Sequence, residues 1–143
     1  MGRVDRAPAA TVGAMRKLIV QQWVTVDNIA AEEDGGLSFV SGEPFSETTN
    51  PWGDFPAATV TRDPAATIRE LKEQSGKDIW LWGSLKLMHS LLDAGVVDEL
   101  QMRVCPASRG KGTRIFEDWQ DLKLVEATSF ENGVVLLRYE IKR

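Results

Sequence analysis

Residues 78–104, with the sequence DIWLWGSLKLMHSLLDAGVVDELQMRV, decide the fold class of this chain. The run from Asp78 to Trp82 is short and apolar, as in a buried strand. The Gly-Ser pair at 83–84 then turns the chain into a helix that stops at Gly95. That helix has apolar residues at helical spacing: Leu85, Met88, Leu91 and Leu92. Val97 to Val104 alternates and predicts a second strand, so the stretch indicates a strand–helix–strand unit with parallel strands.

The segments upstream extend this pattern. Lys17 to Val26 predicts a strand, and its apolar run Leu18 to Val20 indicates burial on both faces. Ala57 to Thr61 predicts a short strand. An aspartate followed by proline at 63–64 favours a helix start, and Gly76 is suited to end that helix.

The segments downstream predict a hairpin. Leu122–Phe130 and Val134–Ile141 are typical strands, and the Glu-Asn-Gly of 131–133 between them is a turn signal that allows a bulge. The order of elements therefore predicts an α/β fold with a largely parallel mixed sheet and an antiparallel hairpin at its C-terminal edge.

Composition excludes several classes of function. The chain has 143 residues, 43% of them hydrophobic and 27% charged, which is typical of a globular domain. The single cysteine, Cys105, excludes an intramolecular disulfide, and the single histidine, His89, excludes a multi-histidine zinc site. A net charge of −4 argues against non-specific nucleic-acid binding, and no apolar run is long enough for a membrane helix.

Residues 1–14 are small, rich in alanine and without a period. We expect a flexible N-terminal extension there, followed by a single domain over residues 15–143. The extension has no apolar core of a secretory signal, so the sequence favours a cytoplasmic location.

Two turns could form a ligand site. The turn at Gly83 joins a strand to a helix N-terminus, whose N–H groups can bind an anion such as a phosphate. Val24 to Asn28 ends the first strand, on the same rim if the strands are parallel. A plain strand-to-helix turn with a Ser84 cap, and a plain strand-ending turn, remain the simpler interpretations.

Other residues with reactive or charged side chains give weaker signals. The basic segment 108–114 suits either a phosphate or acidic partner, or a solvated loop. His89 is expected at a surface or boundary position, and Cys105 is expected to be a buried thiol. Trp80 and Trp82 share one face of their strand, which favours packing in the core.

Two blocks resemble a known family. The sequences IWLWGSL at 79–85 and LLDAGVVDEL at 91–100, followed by Pro106 and GKGTRIF at 110–116, are similar to the C-terminal reductase domain of bacterial riboflavin-biosynthesis deaminase-reductases. The opening residues 15–28 and the closing hairpin are similar as well. The resemblance implies a dihydrofolate-reductase-like fold and an NADPH-dependent reductase.

The resemblance also implies a cofactor site. In that family the glycine turn approaches the cofactor phosphates and the loop after the first strand lines the nicotinamide. The corresponding residues are Gly83, Ser84, Leu85 and Lys86 for the phosphates, and Thr25, Val26, Asp27, Asn28 and Ile29 for the nicotinamide. It assigns no catalytic residue.

The chain departs from the family pattern at three places. Asn28 and Ser84 stand where the family usually has glycine. Near residues 48–52 a central segment of the family domain is missing, and that segment supplies the site for the 2′-phosphate of the cofactor and much of the substrate pocket. The sequence therefore predicts a truncated reductase-like domain.

The resemblance leaves two functions open. One is hydride transfer from NADPH to a small pterin- or pyrimidine-like heterocycle. The other is a non-catalytic dimeric remnant that has lost the cofactor site. Because missing strands leave sheet edges unpaired, we expect a homodimer, with exchanged elements as one form of it. A third option is that the basic loop meets the acidic segment of another chain.

Overall fold

The computed structural model describes residues 15–38 and 59–143. The strands and helices, in chain order, are β1 (Leu18–Val24), β2 (Ile29–Ala31), α1 (Pro64–Glu73), β3 (Ile79–Leu81), α2 (Leu85–Asp93), β4 (Glu99–Val104), β5 (Thr113–Arg114), β6 (Leu122–Ser129) and β7 (Val135–Ile141). No helix in these ranges is long and apolar enough to cross a membrane.

Within residues 15–38 and 59–143 the main sheet has five strands, in the order β3-β1-β4-β7-β6. Strand β1 pairs in parallel with β3 on one side and with β4 on the other. Strands β4, β7 and β6 are successively antiparallel. The predicted mixed sheet, parallel in its first part and ending in an antiparallel hairpin, is therefore confirmed.

Strand β1 lies at the centre of the parallel part and is buried on both faces. Leu18, Ile19 and Val20 are all 5% exposed or less, as their continuous apolar run predicts. The strand predicted over Val97 to Val104 is confirmed as β4, which begins at Glu99. Its first four residues, including Glu99 and Gln101, are all buried.

The two helices begin at the caps that the sequence indicates. The side chain of Asp63 accepts the N–H of Ala66 at the start of α1, and that of Ser84 accepts the N–H of Leu87 at the start of α2. Gly95 follows α2 with a φ of +69°, as expected. Gly76 does not end α1, because the backbone is already extended at Gln74.

A second, two-stranded sheet was not predicted. Strand β2, directly after β1, pairs antiparallel with β5, in the basic segment that follows β4. A Cβ added at Gly112, where φ is +132°, would overlap the carbonyl oxygen of Ala31. Only glycine therefore allows the basic segment to approach β2 this closely.

Two further predictions are wrong. Residues 59–61 are not a strand, and residues 57–58 of that predicted strand lie outside the described ranges. Trp80 and Trp82 are 47% and 67% exposed rather than in the core, because β3 has only β1 beside it among the described strands. The extension 1–14 and the junction near 48–52 also lie outside the described residues.

Asp98 joins four parts of the structure at the amino ends of the parallel strands. Its Oδ2 accepts the backbone N–H of Leu18 at 2.8 Å and lies 2.6 Å from Nζ of Lys72 on α1. Its Oδ1 lies 2.9 Å from Arg143 at the C-terminus. Lys72 also donates to the carbonyl of Val96 at 2.7 Å. The carboxylate therefore connects β1, α1, the start of β4 and the end of the chain.

Substitution of Lys72 tests this junction. Lys72→Met keeps the buried stem but leaves the Asp98 carboxylate and the Val96 carbonyl without their ammonium partner. We expect a loss of about 2–3 kcal/mol in the free energy of unfolding. The measurement is the urea midpoint at constant m-value.

The matched control is Lys123→Met, which removes an exposed ion pair with Glu140 at 3.6 Å. That loss should stay below about 1 kcal/mol. Equal midpoints for the two variants would contradict the role given to the buried pair.

Candidate functional site

The candidate residues lie at the carboxyl edge of the parallel strands, on two levels. In the β1–β3 register Val20 is opposite Leu81, so the turn at 83–84 lies near the level of Gln22. Thr25 lies three residues further along the chain, which corresponds to about 10 Å of strand. No hydrogen bond joins the two groups among the described residues. Residues 83–86 therefore form a lower group and residues 25–29 an upper group at this edge, rather than a single cluster. We call the difference in level between the two groups the step.

In the upper group, Thr25 and Ile29 hold the turn itself. Thr25 is fully buried, and its Oγ1 accepts the backbone N–H of Ile29 at 3.0 Å. The backbone N–H of Thr25 donates to the carbonyl of Ile29 at 3.0 Å. Val26 lies at the tip of the turn and is 61% exposed. Of these three, only Val26 has a side chain open to a ligand.

Asp27 ties this turn to the loop after β4. Its carboxylate accepts the N–H of Gly110 at 2.6 Å and the N–H of Arg109 at 3.2 Å, together with the hydroxyl of Thr25. The Thr25 hydroxyl, then the two backbone N–H groups, hold the pKa of Asp27 well below its usual range. The carboxylate is therefore ionised and committed to internal partners.

Asn28 has the one left-handed backbone conformation of a non-glycine residue in the described ranges, with φ at +66°. Asparagine is among the few residues that tolerate this region, which glycine adopts freely. The substitution of asparagine for the family's glycine is therefore a conservative one in backbone terms. The side chain of Asn28 is exposed at this edge.

The lower group forms the start of α2. Gly83 has a φ of +151°, and a Cβ added there would meet no atom within 4 Å. The peptide bond between Gly83 and Ser84 is cis. The Oγ of Ser84 accepts a hydrogen bond from the N–H of Leu87 at 3.3 Å, and the carbonyl of Ser84 accepts one from the N–H of Met88. The first N–H groups of the helix, on Leu85 and Lys86, remain available to an anion beside open space.

The basic segment turns toward acidic residues of its own chain. Nε of Arg109 lies 2.9 Å from Oε1 of Glu32, and a guanidinium nitrogen donates to Ser38 at 3.3 Å. Hydrogen bonds from Ser38, then Arg109, lower the pKa of Glu32. The acidic partner expected on another chain is thus found, for Arg109, within the same chain.

His89 and Cys105, the remaining candidates, have contacts within the fold. His89 lies at a boundary, as expected, with Nε2 2.7 Å from the carbonyl oxygen of Ile115. Cys105 is the buried thiol that was expected, and burial raises its pKa. Within the described ranges no group of three His, Cys, Asp or Glu residues is placed to hold a metal ion.

A cleft of about 300 Å³ lies below Asn28, between β5 and the antiparallel strands. Its lining is mainly apolar, from Met102, Ile115 and Leu122, with the polar groups of Arg114 and Tyr139. Sequence reasoning missed this cleft, because it depends on the pairing of β2 with β5. Strand β5, with only two residues, is too short to show a periodicity that would indicate it.

These features define a class of protein: a mixed α/β domain with two features at the carboxyl edge of its parallel strands. One is a helix N-terminus, and the other is the loop after β4, residues 105–112, which Asp27 joins to the turn after β1. We call this loop the crossed loop. A family model, that of the RibD C-terminal domain, matches residues 47–136. The chain belongs to the RibD C-terminal domain family, and the predicted family is confirmed.

One curated relative is the uncharacterized protein YyaP of Bacillus subtilis strain 168, which is 34% identical over 98 residues. The alignment covers 66% of this chain and 52% of YyaP, so the chain spans about half the length of that relative.

Solved structures show the same fold at low identity. A Thermotoga maritima diaminohydroxyphosphoribosylaminopyrimidine deaminase/5-amino-6-(5-phosphoribosylamino)uracil reductase has a TM-score of 0.62 at 12% identity, over 90% of this chain and 57% of its own. RibD of Acinetobacter baumannii has a TM-score of 0.60 at 13% identity, over 93% and 60%. Riboflavin biosynthesis reductase Rib7 of Saccharomyces cerevisiae has a TM-score of 0.53 at 10% identity, over 96% and 94%. The dihydrofolate-reductase-like fold is thereby confirmed.

Substitution of Asp27 tests whether its carboxylate holds the crossed loop. In Asp27→Asn we expect faster hydrogen exchange of the Arg109 and Gly110 amides near neutral pH, measured by NMR. Because the folded pKa is depressed, the carboxylate's contribution is complete above its ordinary pKa of 3.8 and is lost as the pH falls below that value. The difference between the two proteins should therefore shrink in acid.

Asp34→Asn is the matched control, because Asp34 bonds only the nearby N–H of Gly36, at 2.8 Å. It should leave exchange at Arg109 and Gly110 unchanged. Identical exchange in wild type and Asp27→Asn at neutral pH would show that Asp27 does not hold the loop.

Proposed function

We propose that this protein is an NADPH-dependent reductase that transfers hydride to a small heterocycle of the pyrimidine or pterin kind. The observation that carries the proposal is the start of α2, where available N–H groups and the Gly83 backbone face open space at the carboxyl edge of β3. Parallel sheets bind nucleotides at this edge, and helix N-termini bind phosphates. Membership of the RibD C-terminal domain family supports the same activity.

The residues present fit such a cofactor. Gly83, Ser84, Leu85 and Lys86 would bind its phosphates, through backbone N–H groups and the exposed Lys86 ammonium. The turn from Thr25 to Ile29 would lie beside the nicotinamide, with Val26 and Asn28 as its exposed members. When bound, NADPH supplies the hydride, so the task of these residues is to hold the ring against the substrate and exclude water.

The choice of substrate class draws on relatives. The Thermotoga maritima structure is named as a uracil reductase and the yeast structure as a riboflavin biosynthesis reductase. The first name specifies a pyrimidine substrate, and the second places its protein in riboflavin biosynthesis. The crossed loop fixed by Asp27 gives this chain a rigid wall at the same edge. A non-catalytic remnant of the fold is the competing function, and it predicts no cofactor binding.

Calorimetric titration with NADPH tests the proposal. Saturable binding is expected, and Gly83→Ala should weaken it at least ~10-fold, since the added methyl group occupies the space beside the phosphates. Gly95→Ala is the matched control at the other end of α2. Gly95 also has a positive φ, +69°, and open space around its Cβ position.

Both variants place a Cβ on a residue with positive φ, so each is expected to lower stability, and about 1–2 kcal/mol is the scale for the left-handed conformation of Gly95. Only Gly83→Ala should change the dissociation constant for NADPH. No saturable binding by the wild-type chain at millimolar NADPH would overturn the reductase proposal and favour the remnant.

We propose further that two copies form a homodimer through the outer edge of β6. Strand β6 has six of its eight residues exposed and is the last of the described strands at that side of the sheet. Leu124 and Val125, at 53% and 46%, and Phe130 beyond the strand, at 44%, present apolar surface there. Long exposed apolar edges pair readily with other strands.

Sedimentation equilibrium tests this association. The wild-type chain should sediment at micromolar concentration with twice the mass of one chain, and Val125→Lys should shift it to the monomer. Val60→Lys is the control, because Val60 is 95% exposed and distant in the sequence from this edge. A stable wild-type monomer would contradict the proposal.

A further inference from the structure

Gln22 is a buried amide with an unmet hydrogen bond in the middle of β1. Its side chain is 8% exposed, and Nε2 has no partner within hydrogen-bond distance. It lies between Val20 and Val24 on the face of β1 that also carries the core contacts to α2. Its partner in the β4 register is Met102, which is also buried and apolar.

A buried side-chain amide nitrogen without a hydrogen-bond partner is costly and unusual. Burying an amide without a partner costs about 1–3 kcal/mol, and the great majority of buried polar atoms are paired. Gln101, on the neighbouring strand and equally buried, shows the ordinary case. Its Nε2 donates to Glu99 at 3.1 Å. Among the described residues Gln22 has the one buried side-chain nitrogen or oxygen without a partner.

The unpaired amide of Gln22 lies next to the step in the candidate site. Strand β3 ends at Leu81, opposite Val20, so from Gln22 onward β1 has no described strand on that side. The chain leaves β3 into the Gly83 turn near the level of Gln22 and starts α2 on the same face. Along β1, Gln22 therefore lies at the level of the lower group of site residues, three residues before Thr25 of the upper group.

We infer that Gln22 is a positioning residue for the ring end of the cofactor, which would enter this step and pair with the Gln22 amide. This inference rests on the proposed function. The chemistry is that of a primary carboxamide: Nε2 donates to the carboxamide oxygen of the nicotinamide, and Oε1 accepts from its N–H. Rotation about the Cγ–Cδ bond of Gln22 lets the amide present either atom.

The geometry explains why the amide is kept at a cost. In the free protein the unpaired Nε2 lowers stability, and in the complex it makes the hydrogen bond that fixes which face of the ring meets the substrate. A methionine at this position would fill a similar volume and remove the unpaired amide nitrogen. Binding and stability should therefore respond to that substitution in opposite directions.

The experiment compares wild type with Gln22→Met, using two ligands. NADPH tests the ring contact, and 2′-phospho-ADP-ribose, which lacks the nicotinamide, tests the rest of the cofactor site. We expect Gln22→Met to weaken NADPH binding ~10-fold, to leave the 2′-phospho-ADP-ribose affinity unchanged and to raise or maintain the urea midpoint of the free protein.

Gln101→Met is the matched control. It removes a buried glutamine whose amide is already paired, so it should lower the urea midpoint and leave both dissociation constants unchanged. Gln22→Glu provides a second variant that keeps the shape of the side chain, loses the donor and should also weaken NADPH selectively.

The outcomes separate this inference from the proposed function. Equal NADPH affinity of wild type and Gln22→Met, or equal weakening of both ligands, overturns the role of Gln22 and leaves the reductase proposal standing. A lower urea midpoint with unchanged affinities shows a purely structural glutamine, and overturns the inference as well. Absence of NADPH binding by wild type overturns both.

Discussion

The buried contact of Asp98 with Lys72 and with the N–H of Leu18 is the constraint on which the rest of the structure depends. It fixes the amino ends of β1 and β4 against α1, and the parallel register of the two strands follows from that end. Burial raises the pKa of Asp98, but its bonds to Lys72, Leu18 and Arg143 more than offset this and lower it. Because the amino ends are fixed in register, the loops at the carboxyl ends of the same strands start at fixed levels along the sheet.

Asp27 performs the corresponding task at the opposite end. It binds backbone N–H groups of the loop that follows β4, so the exits of β1 and β4 are joined there as their entries are joined by Asp98. Both carboxylates have depressed pKa values, and both therefore stabilise the fold above the ordinary carboxyl range and cease to do so in acid. At the site edge the ionised carboxylate of Asp27 is committed to the fold, which leaves Val26, Asn28 and the start of α2 for a ligand.

The strand–helix–strand unit, both helix caps and the C-terminal hairpin could be predicted because each depends on local signals, such as Asp63 before Pro64 or the Asn-Gly of the last turn. The pairing of β2 with β5 could not, since each strand is two or three residues long and meets its partner about 80 positions away. The exposure of Trp80 depends on which strands flank β3, and no pattern within β3 contains that information. The candidate residues lie at one edge because β1 and β3 are parallel, and their two levels follow from the offset of β3 against β1, a feature of register rather than of composition.

That offset gives the proposed role of Gln22 its place along the strand. Val20 and Val24 flank Gln22 on the same face, and both are apolar and belong to the core. Because β3 ends at Leu81, the step leaves a place where an amide can meet a ligand that carries its own donor and acceptor. On the proposed function the unpaired nitrogen is a property of the free protein, because the cofactor ring would give a partner to the one buried side-chain nitrogen or oxygen of the described residues that lacks one.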